Sequence, residues 1–361
     1  MILPSSPHHY DFDSVRRFTS NIFRMAGLSN ESADAVADIL IEADLLGHTT
    51  HGLALLPWYL DAAASGLMRL DGEPEVLVDR GACVTWDGKR LPGAWLASKA
   101  IDLAVARAET YGTVTVVIRD CGHVGALAAY LEKATSRGLM LLMASSTPSV
   151  AGVAPFGGLS AVFTPNPIAV GIPTKGDPIL LDVSSSITTL NRARQLAREG
   201  GKFPAEWVLD AQGNTSADPA VLVHQGGTLL PVGGVDHGHK GYSLALLVEA
   251  LTQGLSGFGR ADRPTGTSVS LFVQAIDPSA FGGHDAFIRQ SDHLATACRE
   301  TPPRPGVDRV RVPGDRAMAS KRAALSRGVA LDESILQSLS PWLTRYGLKF
   351  PPPLLEGAND L

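Results

Sequence analysis

Sulfur is scarce in this chain, and neither a long basic run nor a long apolar run occurs. Its 361 residues include three cysteines, Cys83, Cys121 and Cys298, with no C-x-x-C pair. Such a count encodes no disulfide framework and fits a reducing compartment. Lys and Arg never run beyond a pair and the net charge is −5, which argues against a nucleic-acid surface. No apolar stretch approaches bilayer-spanning length. Met1 to Ser20, with His8, His9, Asp11 and Asp13, holds no apolar stretch of signal-peptide length. The expectation is a soluble, cytoplasmic protein with neither a membrane nor a nucleic-acid partner. Three catalytic signatures are missing as well. The dinucleotide fingerprint G-x-G-x-x-G is absent, because Gly257-Phe258-Gly259 runs into Arg260-Ala261-Asp262. Gly201-Lys202 runs into Phe203, so there is no phosphate-binding Walker loop, and no H-E-x-x-H occurs. Any dinucleotide bound here is bound without the usual glycine code.

What is present reads as an ordinary globular enzyme. Hydrophobic residues make up 45% and charged residues 19%, and the length suffices for one large domain or two to three intertwined ones. From Ser29 or Asn30, Ala33, Val36, Ile39, Leu40 and Ala43 recur at helical spacing behind a capping residue. A shorter helix follows over 56–67, then a strand at 82–86, a helix from 95 to 110 closed by Gly112, and a β-branched strand at 113–118. Helix 125–136 and strand 139–144 continue the alternation. Dense glycine and proline from Ser145 to Pro178 marks tight turns around a strand at 168–172. Further on come helix 240–255, strand 269–276, helices 284–299 and 316–327, and a helix 332–339 stopped by Pro341. The tail from Pro351 is expected to be extended or disordered. This alternation places the chain in the α/β or α+β classes.

Candidate chemistry gathers at a few points. His48-Thr49-Thr50-His51-Gly52 closes the first helix and sets an imidazole, a hydroxyl and a glycine at its exit, where a general acid can be held. His48 itself reads more simply as a helix C-terminal histidine favoured by the dipole. Leu180-Leu181-Asp182 ends an apolar strand-like run, and a carboxylate there can orient and charge-stabilise a histidine. Cys121-Gly122-His123-Val124-Gly125-Ala126 joins a strand to a helix, whose free N–H groups suit a phosphate. The alternative there, Cys121 as a nucleophile with His123 as base, is poorly served by side chains two apart. Gly238-His239-Lys240-Gly241 and Pro313-Gly314-Asp315-Arg316 are similar helix-opening turns, readable equally as capping and solvated charge. His48 with His51, and His237 with His239, raise a metal site, but no cysteine or carboxylate cluster accompanies either pair. A metal-dependent hydrolase or lyase built on these four histidines is a rival of a different class; no metal is expected.

Taken in order, these segments resemble the malate/L-lactate dehydrogenase family, which includes ureidoglycolate and sulfolactate dehydrogenases and piperideine- and pyrroline-2-carboxylate reductases, and which is distinct from the Rossmann-type enzymes. The resemblance runs from about Asp34 to Leu339. It rests on Ala43-Asp44 with His51-Gly52 and Pro57, His123-Val124-Gly125-Ala126, and Val153-Ala154-Pro155-Phe156-Gly157-Gly158. It continues through Asn166-Pro167-Ile168-Ala169, Asp182 with its serines, Gly233-Gly234, Lys240-Gly241-Tyr242, Ala275-Ile276-Asp277-Pro278 and Pro313-Gly314-Asp315. The resemblance implies a non-Rossmann α/β fold with a large mixed sheet flanked by helices, working as a homodimer. It divides the chain into a helical segment at 1–76 bearing the catalytic histidine, a cofactor-binding mixed-sheet region at 77–235, a return at 236–345, and an extended tail at 346–361. It implies hydride transfer from NADPH or NADH, NADPH placed first, to the C=O of a 2-oxo acid or, as the alternative, to the C=N of a cyclic imine.

By the same resemblance His51 looks like the proton donor, Thr50 stands where relatives have serine, and Asp182 completes the relay. The cofactor turn is His123, Val124, Gly125, Ala126 and Leu127, with Lys240-Gly241 and Pro313-Gly314-Asp315-Arg316 as further cofactor segments. Three departures bear on the substrate. Relatives carry a carboxylate-binding arginine four residues after the histidine, where this chain has Leu55; an unreplaced bidentate guanidinium is worth on the order of 2–5 kcal/mol. Thr164-Pro165 replaces the usual Gly-Thr before Asn166, and Asn191-Arg192 replaces a glycine and lysine. The expected substrate contacts are therefore an apolar wall of Leu55 and Trp58, with Thr164, and Arg192 as a relocated carboxylate partner. A retired scaffold that binds nucleotide without turnover is the remaining rival.

Overall fold

The computed structural model describes residues 8–355. In chain order its elements are β1 (His8–Tyr10), α1 (Phe12–Met25), α2 (Asn30–Leu45), α3 (Leu56–Ala64), β2 (Glu75–Asp79), β3 (Cys83–Asp87), α4 (Gly93–Tyr111), β4 (Thr113–Cys121), α5 (Ala128–Thr135), β5 (Met140–Ser146), β6 (Ile168–Ile172) and β7 (Ile179–Val183). There follow α6 (Leu190–Arg198), β8 (Val208–Leu209), β9 (Thr215–Ser216), α7 (Pro219–His224), β10 (Thr228–Leu229), α8 (Gly234–His237), α9 (His239–Glu249), β11 (Val269–Ile276), α10 (His284–Glu300), α11 (Asp315–Arg327), β12 (Val329–Leu331) and α12 (Glu333–Tyr346).

Seven strands form one mixed sheet in the order β2-β3-β4-β11-β5-β6-β7. Only β3 and β4 run parallel; every other neighbouring pair is antiparallel. Strand β11 comes from late in the chain yet pairs with both β4 and β5 at the sheet's centre, so the sheet cannot form until residues some 150 apart have met. Alternate side chains of its central strands serve two faces. Val114, Val116, Ile118, Leu141, Leu271 and Val273 enter the main core with α2, α4 and α5. Val117, Ala144 and Phe272 point the other way, onto Val248 of α9. A second, smaller core joins Val153, Phe163, Ala193, Phe203, Val208 and Leu229 beside the three-stranded sheet β10-β8-β9.

Helix α2 starts where its sequence sets it, with the Ser29 hydroxyl accepting the Ser32 N–H. It is apolar around much of its circumference, and Val36 and Leu40 are fully buried, each burial stabilising by roughly 1.5–3 kcal/mol. Lys321 of α11 ties it to α5 through Glu42 (2.6 Å) and Glu132 (2.5 Å). These two helices flank the candidate site, so the bridge fixes their separation.

Three expectations are corrected. The helix expected from Gly125 starts at Ala128; Gly125 sits at φ +70° in a turn, and the Ala128 N–H donates to Asp182 instead of to a preceding turn. The helix expected to reach Leu255 leaves α geometry at Glu249 and widens into a π turn over Ala250–Gly254. Pro341 does not stop the last helix, which continues to Tyr346 and ends at Gly347 with φ +64°. The lost Gln337 carbonyl bond costs about 3 kcal/mol, and it is offset by burial of Leu339 and Trp342 and stacking of Trp342 on Tyr346. The tail from Pro351 to Leu355 has no regular secondary structure, and the Leu354 N–H donates to the His9 carbonyl at 2.7 Å. The expectation for residues beyond Leu355, like that for 1–7, lies outside the described residues.

Candidate active site

A buried carboxyl shapes the turn where α2 ends. The chain makes two successive 3-10 turns, Thr49–His51 and Leu53–Leu55, pinned by hydrogen bonds from the His51 N–H to the His48 carbonyl and from the Leu53 N–H to Asp44 Oδ2. Asp44 is buried under Gly52, where a Cβ would run into its carboxyl group. Burial pushes this carboxyl up to about 7, with the Leu53 N–H pulling the other way. Sequence inspection missed its role; the signal was Gly52, the one residue type that lets a backbone approach a carboxyl so closely.

His51 is half-buried, and Thr50 Oγ1 lies 2.9 Å from its Nδ1. Burial lowers the His51 imidazole to about 4, and the nearby His48 adds to that. Some 70 residues on, the turn after β4 brings His123 opposite, its ring 6.4 Å from that of His51 and nearly parallel. The Gly125 N–H donates to His123 Nδ1, and the Tyr59 hydroxyl, which donates to the His123 carbonyl, lies 2.9 Å from the same nitrogen. That network assigns the ring proton to Nε2. Burial, with His51 second, lowers His123 to about 3. Both rings are thus neutral near pH 7. Cys121 is fully buried, its thiol donating to the Val269 carbonyl and pushed up by burial, the opposite of an activated nucleophile.

These groups line a cavity of about 620 Å³, within the range of small-molecule sites. Its walls include His48, Thr50, His51, Leu55 and Trp58; His123 to Leu127; Ser145 to Thr147 at the end of β5; Thr164 to Pro167; Asp182 at the end of β7; Thr189 to Asn191 with Arg194; and Thr267 and Val269 at the start of β11. Asp182 Oδ2 accepts the Ala128 N–H at 2.8 Å. Burial raises the Asp182 carboxyl, opposed first by His48 and then by that N–H. Among the described residues no hydrogen bond joins Asp182 to His51; the imidazole whose charge it feels is His48.

The structure therefore brings together Thr50, His51, Asp182, the whole turn 123–127, Leu55, Trp58 and Thr164. Thr164 Oγ1 donates to Asn166 Oδ1 and accepts the Thr147 N–H. Other candidates lie apart from this lining. Arg192 is exposed and donates to Gln195, while Arg194, two residues on, lines the cavity. Lys240 is exposed, and Gly241 packs on the backbone of Ser185 and Val232. Pro313 accepts from Leu180, Gly314 packs against the backbone of Pro178 and Leu180, Asp315 pairs with Arg299 at 2.7 Å, and Arg316 is exposed. His239 contacts both His237 and Phe156, and neither of these histidines lines the cavity of His48 and His51. Among the described residues no group of three or more His, Cys, Asp or Glu is placed to hold a metal ion, and no helix is long and apolar enough to cross a membrane.

The chain is similar to known proteins along nearly its whole length. The L-lactate dehydrogenase of Cupriavidus necator is 31% identical over 334 residues, 90% of this chain and 94% of that protein. The structure of malate dehydrogenase from Pyrococcus horikoshii superposes with a TM-score of 0.86 at 26% identity, covering 97% of this chain and 99% of that one. The delta1-piperideine-2-carboxylate reductase from Pseudomonas syringae superposes at 0.79 with 27% identity, covering 92% and 99%. The sequence signature described as malate/L-lactate dehydrogenase matches residues 10–340. With the mixed sheet and the histidine-lined cavity in place, the chain belongs to the malate/L-lactate dehydrogenase family and is an NAD(P)-dependent dehydrogenase or reductase.

Proposed function

We propose that this enzyme interconverts a 2-oxo acid and its 2-hydroxy acid, with His51 as the proton donor to the carbonyl oxygen. The observation that carries the reading is the convergence of Thr50, His51, Asp182 and the 123–127 turn on one cavity from distant parts of the chain. The turn fits a nicotinamide cofactor. Val124, Ala126 and Leu127 supply apolar surface, and among the described residues no partner takes the N–H groups of Ala126 and Leu127. When bound, a reduced nicotinamide supplies the hydride. NADPH is placed ahead of NADH.

The protein's part is proton management. Thr50 fixes the His51 ring through Nδ1 and leaves Nε2 for the substrate. His51 must be protonated before it can donate, and its desolvated ring resists that. The Asp182 carboxylate across the cavity stabilises the imidazolium as it forms. Leu55 and Trp58 put apolar surface where relatives hold a carboxylate, so the substrate is larger or less charged than lactate or malate. Homodimerisation and a cytoplasmic location complete the proposal.

A second donor is favoured by one observation: the hydrogen bonds to His123 Nδ1 fix its proton on Nε2. Cyclic imine reduction is the alternative chemistry, in keeping with the Pseudomonas syringae neighbour. Purified enzyme is mixed with NADPH or NADH and with pyruvate, oxaloacetate, bulkier 2-oxo acids and cyclic imine 2-carboxylates, following loss of the reduced nicotinamide. Turnover of a bulky 2-oxo acid is expected; turnover confined to imines replaces the proposed reaction, and turnover of neither class refutes both.

A further inference from the structure

The relay as the family pattern implies it has a gap. Asp182 has no hydrogen bond to His51 among the described residues; its Oδ2 is taken by the Ala128 N–H. His48, which the sequence reads as a mere helix-end residue, lies across that gap. The His51 N–H donates to the His48 carbonyl at 2.8 Å, and that bond holds the two residues together at the exit from α2. Both then line the same cavity as Asp182. His48 is half-buried, so it reaches water as well as the cavity it shares with the carboxylate.

We propose that His48 is a positioning residue for proton transfer in this enzyme: it takes up a proton from solvent, Asp182 holds it as an imidazolium, and it resupplies His51. The inference rests on His51 being the donor. In the reductive direction a bound reduced nicotinamide would supply the hydride to the substrate carbon, and His51 gives its Nε2 proton to the oxygen. His51 is left neutral, the His48 proton passes to it directly or through water, and His48 recovers a proton from bulk solvent. Asp182 stays a carboxylate throughout. The balance is one hydride and one proton for each substrate.

The groups facing His48 are few. Asp182 comes from β7, His51 and Asp44 from its own segment, His123 from the turn after β4, and Arg194 from α6. On the α11 side Ser320 packs at Gly47, and the cation there, Lys321, is bound to Glu42 and Glu132. Asp182 is the one acid among them placed in the cavity. His48 reports on Asp182 from the electrostatic side as well, being the first influence that favours its ionised form.

The test uses the full-length enzyme, reduced nicotinamide and the fastest-reacting compound of the 2-oxo acid and imine panel. His48→Asn and, as a second variant, His48→Gln are compared with His51→Asn and wild type across pH. Expected for both His48 variants are unchanged nicotinamide binding and KM, kcat lowered by roughly 10-fold or more, a flattened pH dependence, and partial rescue by free imidazole. A kcat within twofold of wild type and a superimposable pH profile, while His51→Asn is crippled, overturns this inference alone. Full activity in His51→Asn, or no turnover by the wild type, overturns the parent reading and this one with it.

Discussion

Replacing Asp44 by asparagine isolates the charge of the carboxyl that holds the His51 turn. Asparagine keeps the shape and an oxygen acceptor for the Leu53 N–H, now 2.7 Å from Asp44 Oδ2, but it cannot ionise. In the folded protein burial raises this carboxyl from 3.8 to about 7. A group whose folded pKa lies above its unfolded value binds its proton more tightly when folded. Its contribution to stability is therefore complete below pH 4 and is lost as pH rises through 7. With about 1.4 kcal/mol per unit, the loss between pH 4.5 and pH 8 is on the order of 3 kcal/mol. Asp44→Asn has no such loss. Urea unfolding of both proteins at the two pH values reads the difference directly, since other titrating groups are common to both. The variant should gain roughly 3 kcal/mol relative to wild type on going from pH 4.5 to pH 8. An unchanged difference between the two proteins would refute the claim that this carboxyl is held desolvated in the fold.

Gly52→Ala drives a Cβ into the same carboxyl and should cost about 1–3 kcal/mol of stability, with activity falling further than global stability does; wild-type kcat/KM would show that the turn tolerates displacement. Lys321→Met leaves Glu42 and Glu132 facing each other between α2 and α5, and a loss of about 3 kcal/mol is expected, read by thermal unfolding and smaller in acid, where burial favours the protonated form of Glu42. Leu55→Arg restores a guanidinium to the cavity wall; if the pocket is rebuilt around another substrate, kcat/KM for pyruvate and oxaloacetate stays within a few-fold of wild type, whereas a rise of 30-fold or more, roughly 2 kcal/mol, would show the site is unchanged apart from that residue.

The parts of the fold legible in the sequence are those where one local signal has no competitor. The β-branched and apolar runs Ile168–Ile172 and Val269–Ile276 are strands over the expected residues, and Gly112 ends α4 with φ +71°. What local signals miss is decided elsewhere. The two-residue strands β8, β9 and β10 exist only through their partners. Helix α12 outlasts Pro341 because tertiary burial outweighs a local penalty. In the site, residues close in sequence were legible and orientations were not: Thr50 beside His51 could be read, but whether Arg192 or Arg194 turns to the cavity depends on how α6 is rotated. His48 was not legible as a residue of the site, because only the folded exit from α2 brings it to the cavity that His51 and Asp182 line.

The most direct test of the central claim is single-turnover oxidation of bound reduced nicotinamide in His51→Asn, with cofactor binding measured on the same sample by its fluorescence. Binding should match wild type while the transfer step slows by roughly 100-fold or more, the contribution expected of a positioned general acid. Transfer at the wild-type rate in His51→Asn, with His123→Asn slowed in its place, would contradict the assignment and move the proton to His123.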